Sequence, residues 1–288
     1  MIIKYIKRYY IISQISQNIS MSLAQLNAHP RDANITFRAE GHIYTVRDFR
    51  NTKFTSVTTL IHSLFAAFDS DKIITGMMAS KKWPDSKYFG MTKQDIQKQW
   101  SDSGTAAANA GTALHADIEA HYNGLPVAND SLEYAHFMRF KADFARLVPY
   151  RTEWMIYHEE LRLAGSIDMV FSDDGALLIY DWKRVAEISK VSKFNQWSTS
   201  DILMVPDSKY WHYALQLNIY KAILIEKYGM NITDMYLIGL HPTNPTYARI
   251  SVCDLQSEVR QLFSHRLQTI NAKTATETKT KKKANKDI

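Results

Sequence analysis

The segment Gly165–Lys183, GSIDMVFSDDGALLIYDWK, constrains this chain more than any other. Asp174-Gly175 is a strong two-residue turn signal between two runs of aliphatic and β-branched residues, so the segment predicts a β-hairpin. With that dipeptide as the loop, Asp168 falls directly across from Asp181, and Ser166 across from Lys183. The period of two along a strand puts Asp181 and Lys183 on one face. Leu177, Leu178, Ile179 and Tyr180 form a nearly continuous apolar run, of the kind that lies in the middle of a sheet. Charges at the end of such a strand need partners. Two opposed carboxylates repel each other unless positive charge lies between them. A divalent cation would supply it.

The pattern around the hairpin is mixed. Ile35–Ala39 and His42–Arg47 read as a short hairpin around Glu40-Gly41, followed by helical stretches at Ser56–Phe68 and Ser70–Trp83. Thr92 with Asp95 marks a helix start whose pattern runs to about Ser103. Gly104–Tyr122 is a further helical stretch, closed by Asn123-Gly124. Asp130-Ser131 caps an amphipathic helix to about Leu147, with Leu132, Phe137, Phe140 and Phe144 on one side. Strands are expected at Glu153–Glu160, Arg162–Ser172 and Ala176–Lys183. A long helix follows at Ser208–Tyr228, ending at Gly229. Further strands at Met235–His241 and Ala248–Val252 precede a last helix to about Ala272. The middle of the chain thus reads α-β-β-β-α-β, an α/β fold with a mixed central sheet flanked by helices.

Composition excludes some classes and leaves others open. No run approaches the ~18 apolar residues of a membrane span. The single cysteine, Cys253, rules out an intrachain disulfide and any all-cysteine zinc or iron–sulfur site, and points to a reducing, intracellular compartment. Of the net charge of +6, six lysines against Glu277 and Asp287 place +4 in the last sixteen residues. The body is nearly balanced, so charge alone is no argument for nucleic acid. The lysine-rich tail, 273–288, reads as disordered. The first twenty residues contain no acid, which fits either a mitochondrial transit peptide or an upstream extension with Met21 as the start.

Other residues join the two aspartates. His115 lies in GTALHADIEA, where Gly111, His115 and Glu119 recur every four residues and share one helix face. Gln216 and Tyr220 repeat that spacing on the long helix after the strands. Glu153 begins the strand before the hairpin. Each feature alone has an ordinary structural explanation, from a packed histidine to an amide on a half-buried helix face.

Their order is more specific. GT-x-x-H, then G-x-I-D, then D-x-K, then Q-x-x-x-Y resembles the PD-(D/E)XK nuclease superfamily. The resemblance is to the branch of RecB-type nuclease domains, Cas4-like proteins and mitochondrial genome-maintenance exonucleases. It covers roughly Gly104 to His241, about half the chain. The preceding segment, HIYTVRDFRNTKFTSVTTLI, is similar to the extension of viral and phage members. Members with an iron–sulfur cluster carry a cysteine set that this chain lacks.

The resemblance implies a restriction-endonuclease-like core over 104–272, preceded by an extension at 1–30 and a hairpin and helical region at 31–103. It implies His115, Asp168, Asp181 and the Trp182 carbonyl as ligands of Mg2+ or Mn2+. Lys183 would orient or deprotonate the attacking water, with Gln216 and Tyr220 beside the DNA backbone and Glu153, Glu119 and Ser166 in support. The implied activity is phosphodiester hydrolysis on DNA, as an exonuclease in recombination, repair or genome processing. A recombination or replication protein is the implied partner, in a host cytoplasm or nucleus if viral and otherwise in the mitochondrion. A structure- or site-specific endonuclease and a non-catalytic nucleic-acid-binding protein are the alternatives.

Overall fold

The computed structural model describes residues 21–284, with side chains placed as far as residue 275. The acid-poor segment 1–20 and residues 285–288 lie outside the described residues. Chain order is α1 (Leu23–Leu26), β1 (Ile35–Arg38), β2 (Ile43–Val46), β3 (Thr55–Ser56), α2 (Val57–His62), α3 (Ser70–Met78), α4 (Lys93–Tyr122) and α5 (Leu132–Asp143). Then come β4 (Val148–His158), β5 (Leu163–Asp173), β6 (Ala176–Lys183), α6 (Lys209–Tyr228), β7 (Ile232–Gly239), β8 (Ala248–Ser251) and α7 (Gln256–Ala284). The expected α-β-β-β-α-β order is present.

Several boundaries differ from expectation: β4 begins at Val148 rather than Glu153, and the helices expected to reach Phe68 and Trp83 end at His62 and Met78. Residues 21–34, which include the described part of the expected extension at 1–30, pack onto the body of the fold. Asn27 Nδ2 donates to the Tyr150 carbonyl, and Asp32 accepts from Arg151 Nη1 at 2.7 Å, Trp154 Nε1 at 2.9 Å and the His29 amide at 2.8 Å. Burial works to raise the Asp32 pKa, but these donors outweigh it and hold the carboxyl below its ordinary value. One helix, α4, runs unbroken across the expected division at 103/104. Its Thr92–Asp95 capping box starts it, and the alanine-rich turns around Gly104 and Gly111 carry it through. α7 continues to Ala284, so the lysine-rich tail expected to be irregular is helical that far. Its Lys, Glu, Thr and Ala residues include no proline or glycine to stop it. Leu132, expected on the apolar side of α5, is exposed at its first turn.

The central sheet has six strands. β5 pairs antiparallel with β4 along one edge; on its other edge it pairs parallel with β3 at Leu163 and Ala164, and antiparallel with β6 from Met169 to Asp173. β6 continues parallel to β7, which pairs antiparallel with β8. Two apolar layers cover the sheet. Leu177 and Ile179 face α2, α6 and α7, whereas Leu178, Tyr180 and Trp182 face α4 and α5. β6 is therefore buried on both faces, as its apolar run requires. Asn218, fully buried on α6, secures the β8–α7 connection by donating to the Cys253 carbonyl and accepting from the Leu255 amide. Among the described residues no helix is long and apolar enough to cross a membrane, and the lone Cys253 is half-buried and free.

The β5–β6 register is the one Asp174-Gly175 predicts: Met169 pairs with Tyr180, and the next step would pair Asp168 with Asp181. The ladder stops there. Beyond Tyr180, β6 follows β7 and leaves β5, so the edge of β5 between β3 and β6 is unpaired from Gly165 to Asp168. That fork positions the chemistry. It also separates Ser166 from Lys183, which therefore do not pair as expected.

Candidate metal site

A backbone group freed at a buried fork must find another partner. The Trp182 amide donates to Asp168 Oδ2 at 2.9 Å, and the Trp182 carbonyl accepts from His115 Nε2 at 2.8 Å. These two bonds fix α4 and β5 against the end of β6. They also settle the histidine's orientation: with Nε2 donating to a carbonyl, Nδ1 is the nitrogen left to ligate. Nδ1 lies 3.5 Å from Asp168 Oδ2 and 3.9 Å from Glu153 Oε1.

Glu153 reaches this point through an unusual backbone. Its φ is +41°, inside a strand, a left-handed conformation that costs a glutamate about 1–3 kcal/mol. The β4–β5 ladder pairs Thr152 with Met169 and Trp154 with Ile167, skipping the step where Glu153 faces Asp168. The bend brings the two carboxylates to the same spot, and Ser166 Oγ steadies Glu153 by donating to Oε2 at 2.9 Å.

His115, Glu153 and Asp168 thus offer three ligand atoms within 4.8 Å of one another. Magnesium holds its ligands at about 2.0–2.1 Å in an octahedron, which places adjacent ligand atoms about 3 Å apart and opposite ones about 4 Å. The 3.5 and 3.9 Å spacings from Nδ1 lie between those values. One imidazole and two carboxylates form a donor set for a hard divalent cation, manganese included. Burial works to lower the His115 pKa, but the charges of Asp168, Glu153 and Asp181 outweigh both it and Lys183, raising it to about 9. A concentration of negative charge that traps a proton is also one that attracts a metal ion.

The other expected residues lie around this cluster rather than in it. Asp181 is fully buried, and Lys183 Nζ lies 2.6 Å from its Oδ2 as an ion pair; that oxygen accepts no hydrogen bond of regular geometry. Burial raises the Asp181 pKa against the pull of Lys183, while Lys183, disfavoured by burial, is pushed up more strongly by Asp181 and Asp168. The proton therefore stays on the lysine. Lys183 Nζ also sits 4.8 Å over the Tyr213 ring, a contact that no sequence motif announces. The Trp182 carbonyl accepts from His115 with one of its two lone pairs.

Gln216 Nε2 donates to Tyr220 Oη at 3.1 Å. Gln216 and Lys183 line one cavity, whereas Tyr220 is buried beneath the fork and supports the glutamine. Glu119, one turn along α4 from His115, lies outside the ligand cluster; burial first and Glu153 second raise its pKa. A second group, His158, Glu159 and Glu160, has ligand-like spacing. There Lys227 lies 2.6 Å from Glu160 and Arg31 2.6 Å from Glu159, so a cation would compete with two resident ones.

No known family model matches the sequence, and no curated protein does. Among solved structures the chain is similar to one described as "Crystal structure of SSO0001", at 13% identity over 75% of each chain with a TM-score of 0.27. A likeness at that level bears on neither fold nor activity.

Proposed function

We propose that the chain is a metal-dependent DNA nuclease of the PD-(D/E)XK superfamily, acting as an exonuclease. The observation that carries this reading is the fork itself. Where β6 leaves β5, three ligand-bearing side chains converge beside a lysine whose proton is held on by a buried aspartate.

His115, Glu153 and Asp168 would hold the cation. Bound there, Mg2+ or Mn2+ would supply a more acidic water and neutralise charge on the phosphate. Lys183 keeps its proton and brings a fixed positive charge to the phosphate oxygens, where negative charge grows in the transition state. Asp181 prevents that ammonium from swinging away, and the Tyr213 face limits its other side. Gln216, tethered by Tyr220, adds a neutral polar group to the same cavity wall as Lys183.

End-labelled linear DNA and covalently closed circular DNA, each with Mg2+ or Mn2+, provide the test. An exonuclease shortens the linear substrate and leaves the closed circle intact. Cleavage of the circle supports the endonuclease alternative, and no cleavage of either substrate overturns the nuclease reading.

Metal affinity should also depend on pH with a definite sign. His115 must lose its proton to ligate, and its metal-free pKa is about 9. Below that value each metal ion bound displaces one proton from His115. Mn2+ should therefore bind about tenfold tighter per unit between pH 6 and 8. Calorimetric titrations at three pH values check this, and a flat profile excludes His115 as a ligand.

A further inference from the structure

Lys183 and Gln216 open onto a cavity of about 800 Å3, walled by α2 and the loop after it, the segment following β6, and the first turns of α6. Three features of that wall bear on what it could hold. Phe68 and Phe194 both line it, and they are 74% and 79% exposed. Aromatic rings left this open contribute little to folding and are candidates for contact with a ligand. Lys193, paired with Glu187 at 3.2 Å, and Lys209 belong to the same wall, with Asp207 beside His212. His212 is held in one orientation, with Nε2 against Asp207 Oδ1 at 2.8 Å and its ring stacked on Phe65 at 3.9 Å.

Resting on the nuclease reading, we propose that this cavity is a subsite for the nucleobase of an unpaired nucleotide beside the scissile phosphate. Phe68 and Phe194 are its stacking faces and His212 its fixed polar edge. The volume lies within the range of pockets that enclose small organic ligands, room for a nucleotide or two but not for a double helix. Aromatic faces beside Lys183 and Lys209 suit a base and its phosphate, and stacking tolerates every base because each has a π-face. The subsite therefore selects an unpaired strand over a duplex while remaining indifferent to sequence. His212 lies one turn before Gln216 on α6, so the base edge and the phosphate are addressed from one helix.

The test uses the full chain in EDTA with short single-stranded oligonucleotides carrying one 2-aminopurine at successive positions. Stacking quenches the probe, so quenching should appear at one or two adjacent positions. The double variant Phe68→Ala/Phe194→Ala removes exposed rings only and should keep the parent's circular dichroism. It should lose the quenching and bind about 5- to 100-fold more weakly. Equal quenching and affinity in parent and variant overturn the subsite, as does tighter binding of a blunt duplex than of the single strand. A parent that quenches the probe yet cleaves no DNA with either metal refutes the nuclease reading and leaves the subsite standing. A double variant that cleaves and binds like the parent refutes the subsite alone.

Discussion

Replacing Asp168 with asparagine should reduce metal-dependent cleavage by about three orders of magnitude or more while leaving the fold in place. The carboxylate has two separate tasks. It accepts the Trp182 amide at 2.9 Å, and it places negative charge 3.5 Å from His115 Nδ1. An asparagine oxygen can still accept the amide, so the fork keeps its geometry. What disappears is the charge, and with it a ligand oxygen. Losing several kcal/mol of transition-state stabilisation corresponds to about 10³ in rate. The variant also has a signature independent of activity. Asp168 is the foremost influence raising His115 towards about 9, so the metal-free histidine should titrate distinctly lower in Asp168→Asn, visible in its ring proton shifts by NMR. Lys183→Met is a poorer probe, because it leaves Asp181 buried without its counter-ion, a change that costs about 3–5 kcal/mol. Cleavage by Asp168→Asn within tenfold of the parent would remove Asp168 from the site.

The limits of sequence reading follow from the same fork. A two-residue turn and alternating apolar residues are local signals, and they suffice for the register from Asp173 to Met169. The capping residues Ser131 and Thr92 and the terminal Gly229 are local too, and each stands at its expected helix end. Where β6 leaves β5 depends on β7 competing for it, and nothing within the hairpin reports that competition. The expectation that Ser166 faces Lys183 failed for this reason, and Ser166 serves Glu153 instead. Glu153 was legible only as an acid at a strand start. Its approach to His115 needs a positive φ on a glutamate, which residue preferences argue against. The cavity draws its walls from three separated segments, so no single stretch of sequence could announce it.

The motifs G-x-I-D and Q-x-x-x-Y, separate in sequence, meet at one contact, and Gly165→Ala should show how tightly. A Cβ built on Gly165 would lie 2.6 Å from Tyr220 Cε1 and 2.8 Å from its Oη. Neither side can yield easily. Gly165 is paired with Ile156 in the sheet, and the Tyr220 ring is 3% exposed and hydrogen-bonded to Gln216. The glycine is needed here for space, not for its backbone freedom. Overpacking of this kind costs about 1–3 kcal/mol, a fall in Tm of roughly 2–4 °C per kcal/mol for a chain of this size. The same displacement moves Gln216, so turnover should drop even at temperatures where the variant is fully folded. A cycle with Tyr220→Leu separates this clash from other effects. In the leucine background the ring is gone, and Gly165→Ala should then cost only a few tenths of a kcal/mol. Additive penalties in the double variant would mean that Gly165 serves the strand itself, and that the two motifs are not coupled through this contact.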